Sequence, residues 1–219
     1  MLPQRINLIA YSTLAVIICY IDRVNISVAI IPMQEQFGWS DSQVGFIFSS
    51  FYLGYMLTMA LGGYLSDKFG GKRVLGWGVV LWSIFTILTP LAAHNGFFAL
   101  FFIRILMGIG EGVTFPAWHS LYARWIPFNE RTRAIAFTNS GVSIGTIIGY
   151  IGTQMIILAI GWEWAFYIFG IVGLVWFIFW NRNVTSYPNE HKRITAEELA
   201  YIQENAPSSE PAKKIPLRQ

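Results

Sequence analysis

The stretch that decides the fold is VGFIFSSFYLGYMLTMALGGYLSDKFGGKR, residues 44–73. Its first part, 44–65, contains no charged residue and is long enough to cross roughly 30 Å of hydrocarbon as an α-helix. The second part turns abruptly polar, with Lys68, Lys72 and Arg73 close together. An apolar segment of this length followed by a basic turn is typical of a transmembrane helix and its loop.

The same alternation repeats along the chain. The residues are 54% hydrophobic and only 12% charged, whereas soluble domains are about 25% charged. The fold class is therefore predicted to be an all-α membrane protein, a six-transmembrane-helix bundle within residues 1–182. The predicted spans lie near 8–31, 44–65, 73–93, 97–123, 133–160 and 163–182.

Basic residues are distributed unevenly between the predicted loops. Of the 15 Lys and Arg residues, 13 lie before span 1, in or at the edges of the connections between spans 2 and 3 and between spans 4 and 5, or at and beyond the end of span 6. The alternate loops, near 32–43, 94–96 and 161–162, contain none. Because basic loops stay on the cytoplasmic side, we predict cytoplasmic termini in a plasma (inner) membrane protein. The run after Arg5 has no small-residue cleavage site, which favours a retained first span over a signal peptide.

The segment after span 6, residues 183–219, turns polar. Thr195 and Glu198 have the spacing of a capping box, which predicts a short helix to about Asn205. Pro207 is predicted to end this helix, and 208–216 is predicted to be a flexible linker.

Four charged residues fall inside predicted spans: Asp22 and Arg23 in span 1, Arg104 and Glu111 in span 4. An ionised side chain at mid-bilayer costs about 2.5–3.5 kcal/mol on insertion scales, so these side chains must face a cavity or each other. Asp22 and Arg23 point to different neighbours, whereas Arg104 and Glu111 share a face but lie too far apart to pair. Asp22 with Arg104 is one cross-helix pairing. A fixed ionic lock without a transport role is the alternative interpretation.

The chemistry of these four side chains favours a proton-linked anion carrier. A desolvated carboxylate without a permanent partner can bind a proton on one side of a membrane and release it on the other. Glu111, flanked by two glycines that leave room around it, is the first candidate, and Asp22 is the second. An arginine facing a cavity can hold a carboxylate bidentately, so Arg23 is the predicted substrate ligand and Arg104 the alternative.

Other polar side chains in the spans are candidates for completing the pocket, although packing or anchoring at the membrane surface explains the tyrosines equally well. His119, after Pro116, either titrates near neutral pH or is structural. We predict no cofactor beyond the coupling proton, no metal site, no enzymatic activity and no nucleic acid partner. The other candidate pocket residues are Tyr20, Asn25, Tyr52, Tyr55, Asn139, Ser140 and Gln154.

The sequence also contains two glycine-rich patterns. Gly141, Gly145 and Gly149 recur at every fourth residue, which predicts close packing against another helix. The string GYLSDKFGGKR, residues 63–73, resembles the loop 2–3 signature of the major facilitator superfamily, and residues 104–110 resemble a second signature of that family. The resemblance implies a gating role for Asp67, with Lys72 and Arg73 beside it.

Three further segments are similar to the anion:cation symporter family, which includes sialin, vesicular glutamate transporters and bacterial galactonate and hexuronate transporters. They are Tyr20-x-Asp22-Arg23-x-Asn25, RILMGIGEGVTFPAWH at 104–119, and Trp125-x-Pro-x-x-Glu130-Arg131. The resemblance covers residues 8 to about 180. It implies a substrate arginine at Arg23, proton-linked acids at Asp22 and Glu111, and an additional charge at Arg104.

The family fold implies what this chain does and what it lacks. The fold has twelve spans in two pseudo-symmetric halves with substrate between them, and this chain resembles the N-terminal half, a 3+3 inverted repeat.

The expected function is proton-coupled symport of an organic anion, such as a sugar acid, by alternating access. The expected partners are this anion, the lipid bilayer and a second six-helix bundle. That bundle belongs to another chain, to a second copy, or to a longer protein of which this is a truncation or fragment; 215–217 resembles the approach to a seventh span. A sodium-linked or exchange carrier, or a non-transporting membrane assembly or sensor, are the alternatives.

Overall fold

The computed structural model describes residues 3–205, and within them the regular structure is helical, with no strand. Six segments are long and apolar enough to cross a membrane, and each predicted span lies inside one of them. The predictions for Pro207, 208–216 and 215–217 lie outside the described residues, and the division at residue 182 stays a prediction. The helices are α1 (Gln4–Phe37), α2 (Asp41–Phe69), α3 (Gly71–His94), α4 (Phe97–Glu111), α5 (Thr114–Trp125), α6 (Phe128–Ile160), α7 (Trp162–Asn183) and α8 (Ala196–Asn205), with a short 3₁₀ turn at Pro188–Glu190.

Short turns join α1 to α2 and α2 to α3. Gly38 ends α1 in the left-handed conformation, with φ of 66°, which glycine adopts without a steric penalty. Ser40 and Gln43 then form a capping box at the start of α2, in which the Gln43 side chain accepts a hydrogen bond from the Ser40 amide at 2.9 Å. Gly70, with φ of 86°, is the single residue between α2 and α3.

The fourth span is interrupted, although the sequence predicted one continuous helix over 97–123. α4 ends at Glu111, and α5 begins at Thr114 after a turn at Gly112 and Val113. Pro116 explains the interruption, because it has no N–H to donate to the carbonyl of Gly112 one turn earlier. The break places Glu111 at the end of α4.

Glycines set the distances between the helices. The predicted packing role of Gly141, Gly145 and Gly149 is confirmed, because these residues meet the backbone or side chains of α1; a Cβ on Gly141 would lie 3.0 Å from the Thr13 carbonyl oxygen. The two glycines beside Glu111 were predicted to leave room for it, and that prediction is wrong. A Cβ on Gly110 would lie 2.9 Å from the backbone nitrogen of Trp82 on α3, and one on Gly112 would meet α2. They therefore allow close helix contact.

The helices differ in how much of their surface the bundle covers. In its most apolar segment, α1 buries 56% of the residues, whereas α2 buries 22% and α6 only 17%. Large apolar side chains on α2 and α6, including Met56 and Met155, are exposed. In a membrane these two helices therefore present broad surfaces to lipid or to a further helical bundle.

The α8 helix packs against the end of the bundle where α1 begins, called the terminal side below. Thr195 Oγ1 accepts a hydrogen bond from the Glu198 amide at 3.2 Å, as a capping box requires. The reciprocal half of the predicted box is wrong, because the Glu198 carboxylate accepts hydrogen bonds from the Gln4 and Arg5 amides at 2.9 and 3.0 Å. The unpaired N–H groups and positive dipole at the start of α1 attract this carboxylate.

Candidate functional site

The centre of the candidate site is an ion pair between α1 and α4. Arg23 donates from Nε and Nη2 to the same oxygen of Glu111, Oε2, at 3.0 and 2.9 Å. The Glu111 side chain is fully buried, whereas 15% of the Arg23 side chain is accessible. The sequence predicted a role for each residue but did not identify them as partners. In this structure they are paired.

Three aromatic rings surround the Arg23 guanidinium. The guanidinium carbon lies 4.8 Å from the ring centroid of Tyr20, 4.7 Å from that of Tyr55 and 5.2 Å from that of Phe51. Ring faces attract a cation most strongly when water is excluded. Tyr20 and Tyr55 were candidates, and the structure brings them together. Phe51 was missed, although its position one turn before Tyr55 on α2 places both on the same side of the helix.

Cys19 is a second residue that the sequence analysis did not include. Its thiol, fully buried, lies 3.3 Å from Glu111 Oε2, and its sulfur accepts a hydrogen bond from Arg23 Nη2 at 3.7 Å. The thiol is the donor toward the carboxylate. The spacing of four residues between Cys19 and Arg23 was the available signal, because it places both side chains on one face of α1.

Asp22 and Arg104 do not form the predicted pair. Asp22 Oδ2 instead accepts a hydrogen bond from Trp82 Nε1 on α3 at 3.1 Å. Arg104 donates to the sulfur of Met107 at 3.2 Å and lies 4.9 Å from the Phe51 ring centroid. Among residues 3–205, neither charge has an oppositely charged group within 4.0 Å. Asp22 is fully buried and Arg104 is 2% exposed.

Among the described residues, the remaining candidates form no hydrogen bond with Arg23 or Glu111. Asn25 is fully buried, and its amide has no hydrogen-bond partner in the described part of the chain. His119 is exposed and stacks on the Trp118 ring with 3.8 Å between centroids. Four candidates, all exposed, make no contact with the pair through a hydrogen bond: Tyr52 on α2 and Asn139, Ser140 and Gln154 on α6.

The sequence of this chain matches a known protein family over almost its whole length. The sequence profile described as Major Facilitator Superfamily matches residues 12–218. The chain belongs to the major facilitator superfamily. This confirms the family-level resemblance that the loop signature at 63–73 indicated.

The major facilitator fold is also seen in a solved structure. The inward-facing, unoccupied structure of a bacterial homologue of the human lysosomal transporter Spinster superposes with a TM-score of 0.74 at 24% identity. The match covers 99% of this chain and 47% of that one. At this identity the likeness concerns the fold, and it agrees with a six-helix half of that fold.

The curated relatives of this major facilitator chain include plant proteins named for anion transport. It is 44% identical to the probable anion transporter 4, chloroplastic, of Oryza sativa subsp. japonica, over 99% of this chain and 36% of that protein. It is 43% identical to the sodium-dependent phosphate transport protein 1, chloroplastic, of Arabidopsis thaliana, over 99% and 42%. It is 42% identical to the Arabidopsis ascorbate transporter, chloroplastic, over 99% and 40%. The chain therefore spans about two fifths of the length of these relatives.

The segment that carries the family signature, at the end of α2 and the start of α3, contacts α5 and α7 on the terminal side. Asp67 Oδ1 lies 3.7 Å from Arg124 Nη2 on α5, with the aspartate side chain 78% exposed. Lys72 Nζ donates to the Asn181 carbonyl on α7 at 3.0 Å, and Arg73 is exposed. Of the three predicted gating residues, Asp67 and Lys72 thus contact different helices. An ion pair as exposed as Asp67–Arg124 contributes little to stability.

Proposed function

We propose that the complete protein carries an organic anion across a membrane by proton-coupled symport with alternating access. The described helices would supply one of its two six-helix bundles, and the second bundle would complete the cavity. The observation that carries this proposal is the Arg23–Glu111 ion pair. It joins the cation best suited to an anionic substrate to an acid that can take up a proton.

The pair suggests how proton and substrate binding are coupled. While Glu111 is ionised, it occupies the two donors of Arg23 that a substrate carboxylate would need. Binding of a proton to Glu111 removes this competing anion, so Arg23 becomes available for a bidentate contact with substrate. Arg23, the protonated Glu111 and a bound monoanion together carry no net charge, like the empty Arg23–Glu111 ion pair. Both ligands can therefore cross the membrane on one rigid-body movement without adding charge to the buried site.

The residues around the pair favour a compact organic anion over an inorganic one. Tyr20 and Tyr55 offer ring faces and hydroxyl groups beside Arg23, which suits a hydroxylated carboxylate such as a sugar acid. One relative is named as an ascorbate transporter, and ascorbate is a sugar-derived anion. We therefore propose a sugar-acid-like substrate, with Arg104 and Asn25 as further contacts.

A sodium-linked carrier is the second candidate, because another relative is named as a sodium-dependent phosphate transport protein. Exchange of one anion for another is a third mode of the same fold. A non-transporting membrane sensor would bind the anion, and be stabilised by it against heat, without moving it across the membrane.

Transport by the full-length protein in sealed vesicles distinguishes these candidates. Ascorbate uptake is measured with an imposed proton gradient, then with a sodium gradient at equal pH on both sides. We expect only the proton gradient to drive uptake. Glu111→Gln should abolish gradient-driven uptake yet retain exchange of internal for external ascorbate, whereas Arg23→Ala should lose both. Glu35→Gln changes an exposed acid on α1, the helix of Arg23. It is the matched control and should behave as the parent protein. Uptake that survives in both test variants would reject the proposal.

The orientation and the membrane are part of the proposal. We place the basic terminal side in the cytoplasm or the compartment equivalent to it. The membrane is either the plasma (inner) membrane, as the sequence analysis predicts, or a chloroplast membrane, as the names of the relatives indicate. Imaging of the tagged full-length protein in its own cells tells the two apart.

A further inference from the structure

A polar cleft separate from the Arg23–Glu111 pair opens on the terminal side, where the ends of α1, α3 and α7 meet the segment that follows α7. Its volume is about 690 Å³. Lys72, Arg182, Lys192 and Arg193 line it, together with His191 and a single carboxylate, Glu190. We name it the basic cleft.

The cations of the basic cleft are not neutralised by nearby acids. Among the described residues, none of the four has a carboxylate oxygen within 4.0 Å. Lys72 donates to the Asn181 carbonyl at 3.0 Å, which fixes one ammonium at the rim. Four positive side chains around one carboxylate leave a net positive site that attracts anions.

The walls of the cleft are held by hydrogen bonds between its own elements. Asn183 Nδ2 donates to the Tyr11 hydroxyl at 3.0 Å, joining α7 to α1. His191 Nε2 lies 3.1 Å from the Asn183 carbonyl, which folds the following segment back over the cleft. Trp176 Nε1 donates to the Tyr11 carbonyl at 3.1 Å. The cleft is therefore formed before any ligand binds.

We propose that the basic cleft binds a phosphate group, either that of an anionic lipid headgroup or that of a soluble phosphate. Lys and Arg are the side chains that hold phosphate oxygens through charged hydrogen bonds. The cleft lies at the ends of spanning helices, which is the depth of the lipid headgroups, and Tyr11 forms part of its wall. Basic pockets between transmembrane helices at this depth suit anionic headgroups.

This site is independent of the proposed transport site. Tyr11, in the wall of the cleft, and Arg23 are twelve residues apart on α1, which corresponds to about 18 Å along the helix axis. A ligand in the basic cleft is therefore too far away to contact the Arg23–Glu111 pair. If no ligand binds in the cleft, the proposal of anion transport is unaffected.

The test measures ligand binding by the purified full-length protein. Thermal unfolding is followed in phosphatidylcholine nanodiscs, with and without phosphatidylglycerol, and separately in detergent with increasing inorganic phosphate. We expect phosphatidylglycerol or inorganic phosphate to raise the unfolding temperature. Arg182→Gln or Lys192→Gln, each an exposed cation of the cleft, should weaken the affinity about fivefold, because one cation near an anionic surface contributes about 1 kcal/mol. Arg133→Gln removes an exposed arginine of α6 outside the cleft and should leave the affinity unchanged.

The outcomes of this test either identify the ligand of the basic cleft or reject the proposal. Stabilisation by phosphatidylglycerol alone identifies the ligand as a lipid headgroup, and stabilisation by inorganic phosphate alone identifies a soluble phosphate. Response to both, with the same dependence on Arg182 and Lys192, assigns the site to the phosphate group itself. No response to either ligand overturns the proposal, and so does an equal loss of affinity in Arg133→Gln, since that result means diffuse surface charge.

Discussion

Four buried charges lie on α1 and α4, and they differ in the partners that they meet. Arg23 and Glu111 meet in an ion pair, with the Cys19 thiol also in contact with the carboxylate. Asp22, the residue before Arg23, has instead the neutral Trp82 as its hydrogen-bond partner. Arg104, two turns from Glu111 on α4, has a thioether and a ring face.

This difference separates a contact that a proton can open from contacts that it cannot. Protonation of Glu111 removes half of an ion pair and releases Arg23, whereas protonation of Asp22 leaves the Trp82 indole with an acceptor. We therefore expect the Arg23–Glu111 pair to carry coupling, and the Asp22–Trp82 contact to hold α1 against α3. Changes to one partner at a time test this assignment.

Glu111→Ala should have the largest effect on stability, because it leaves the Arg23 guanidinium largely buried without its anion. Removing one partner of a buried ion pair costs about 3–5 kcal/mol. The free energy of unfolding of the full-length protein in mixed micelles measures this loss. The double variant Arg23→Ala with Glu111→Ala should be less destabilised than the sum of the single variants. Strict additivity would show that the two residues do not interact, which would contradict the assignment of Arg23 and Glu111 as an ion pair.

Trp82→Phe should have the second largest effect, because it removes the N–H that Asp22 accepts and leaves a buried carboxylate oxygen without a partner. An unsatisfied buried polar group costs about 1–3 kcal/mol. Trp164→Phe, at a tryptophan that is 51% exposed on α7, is the matched control and should change stability little. Proton-driven uptake should persist in Trp82→Phe. If it is lost as completely as in Glu111→Gln, Asp22 belongs to the coupling machinery and the two sites are equivalent.

The helices of this fold could be predicted from the sequence, but the pairing of the charges could not. Span lengths and the positions of basic residues identify six helices because the bilayer imposes a length and a charge asymmetry. Which neighbour a buried side chain meets depends on the distance between helices. A Cβ on Gly108 would collide with the Phe51 carbonyl oxygen, so this glycine lets α2 approach α4 and places Phe51 and Tyr55 against Arg23.

The same reasoning explains why the predicted Asp22–Arg104 pair is wrong. A Cβ on Gly78 would lie 2.9 Å from the Gly110 carbonyl oxygen, so α3 packs closely against α4. Trp82, one turn further along α3, then reaches Asp22. The sequence showed that Asp22 and Arg23 face different neighbours, but the helix that approaches each face follows from glycine contacts between distant parts of the chain.

Cys19→Ala should have a smaller effect, of about 1 kcal/mol, because it removes only a weak thiol donor from a carboxylate that keeps two charged donors. Cys19→Ser supplies a hydroxyl donor at the same position and should recover part of the loss. Proton-driven uptake should remain in both variants, with a changed pH dependence. A loss in Cys19→Ala as large as that in Glu111→Ala would mean that the thiol, and not Arg23, holds Glu111 in place.

Arg104→Met should have the smallest effect on stability, or even the opposite sign. The guanidinium is buried without an anion within 4.0 Å among residues 3–205, and its hydrogen bond goes to the weak acceptor of Met107. An apolar side chain of similar length avoids the cost of desolvating an unpaired charge, and this gain offsets the loss of the weak hydrogen bond. Unfolding of the full-length variant in mixed micelles gives the sign. A loss of stability like that of Glu111→Ala would place an anion on Arg104 and remove the distinction between the two charge sites. Unchanged or increased stability together with weaker ascorbate uptake would instead show that Arg104 is kept, at a cost to the fold, as a contact for the substrate.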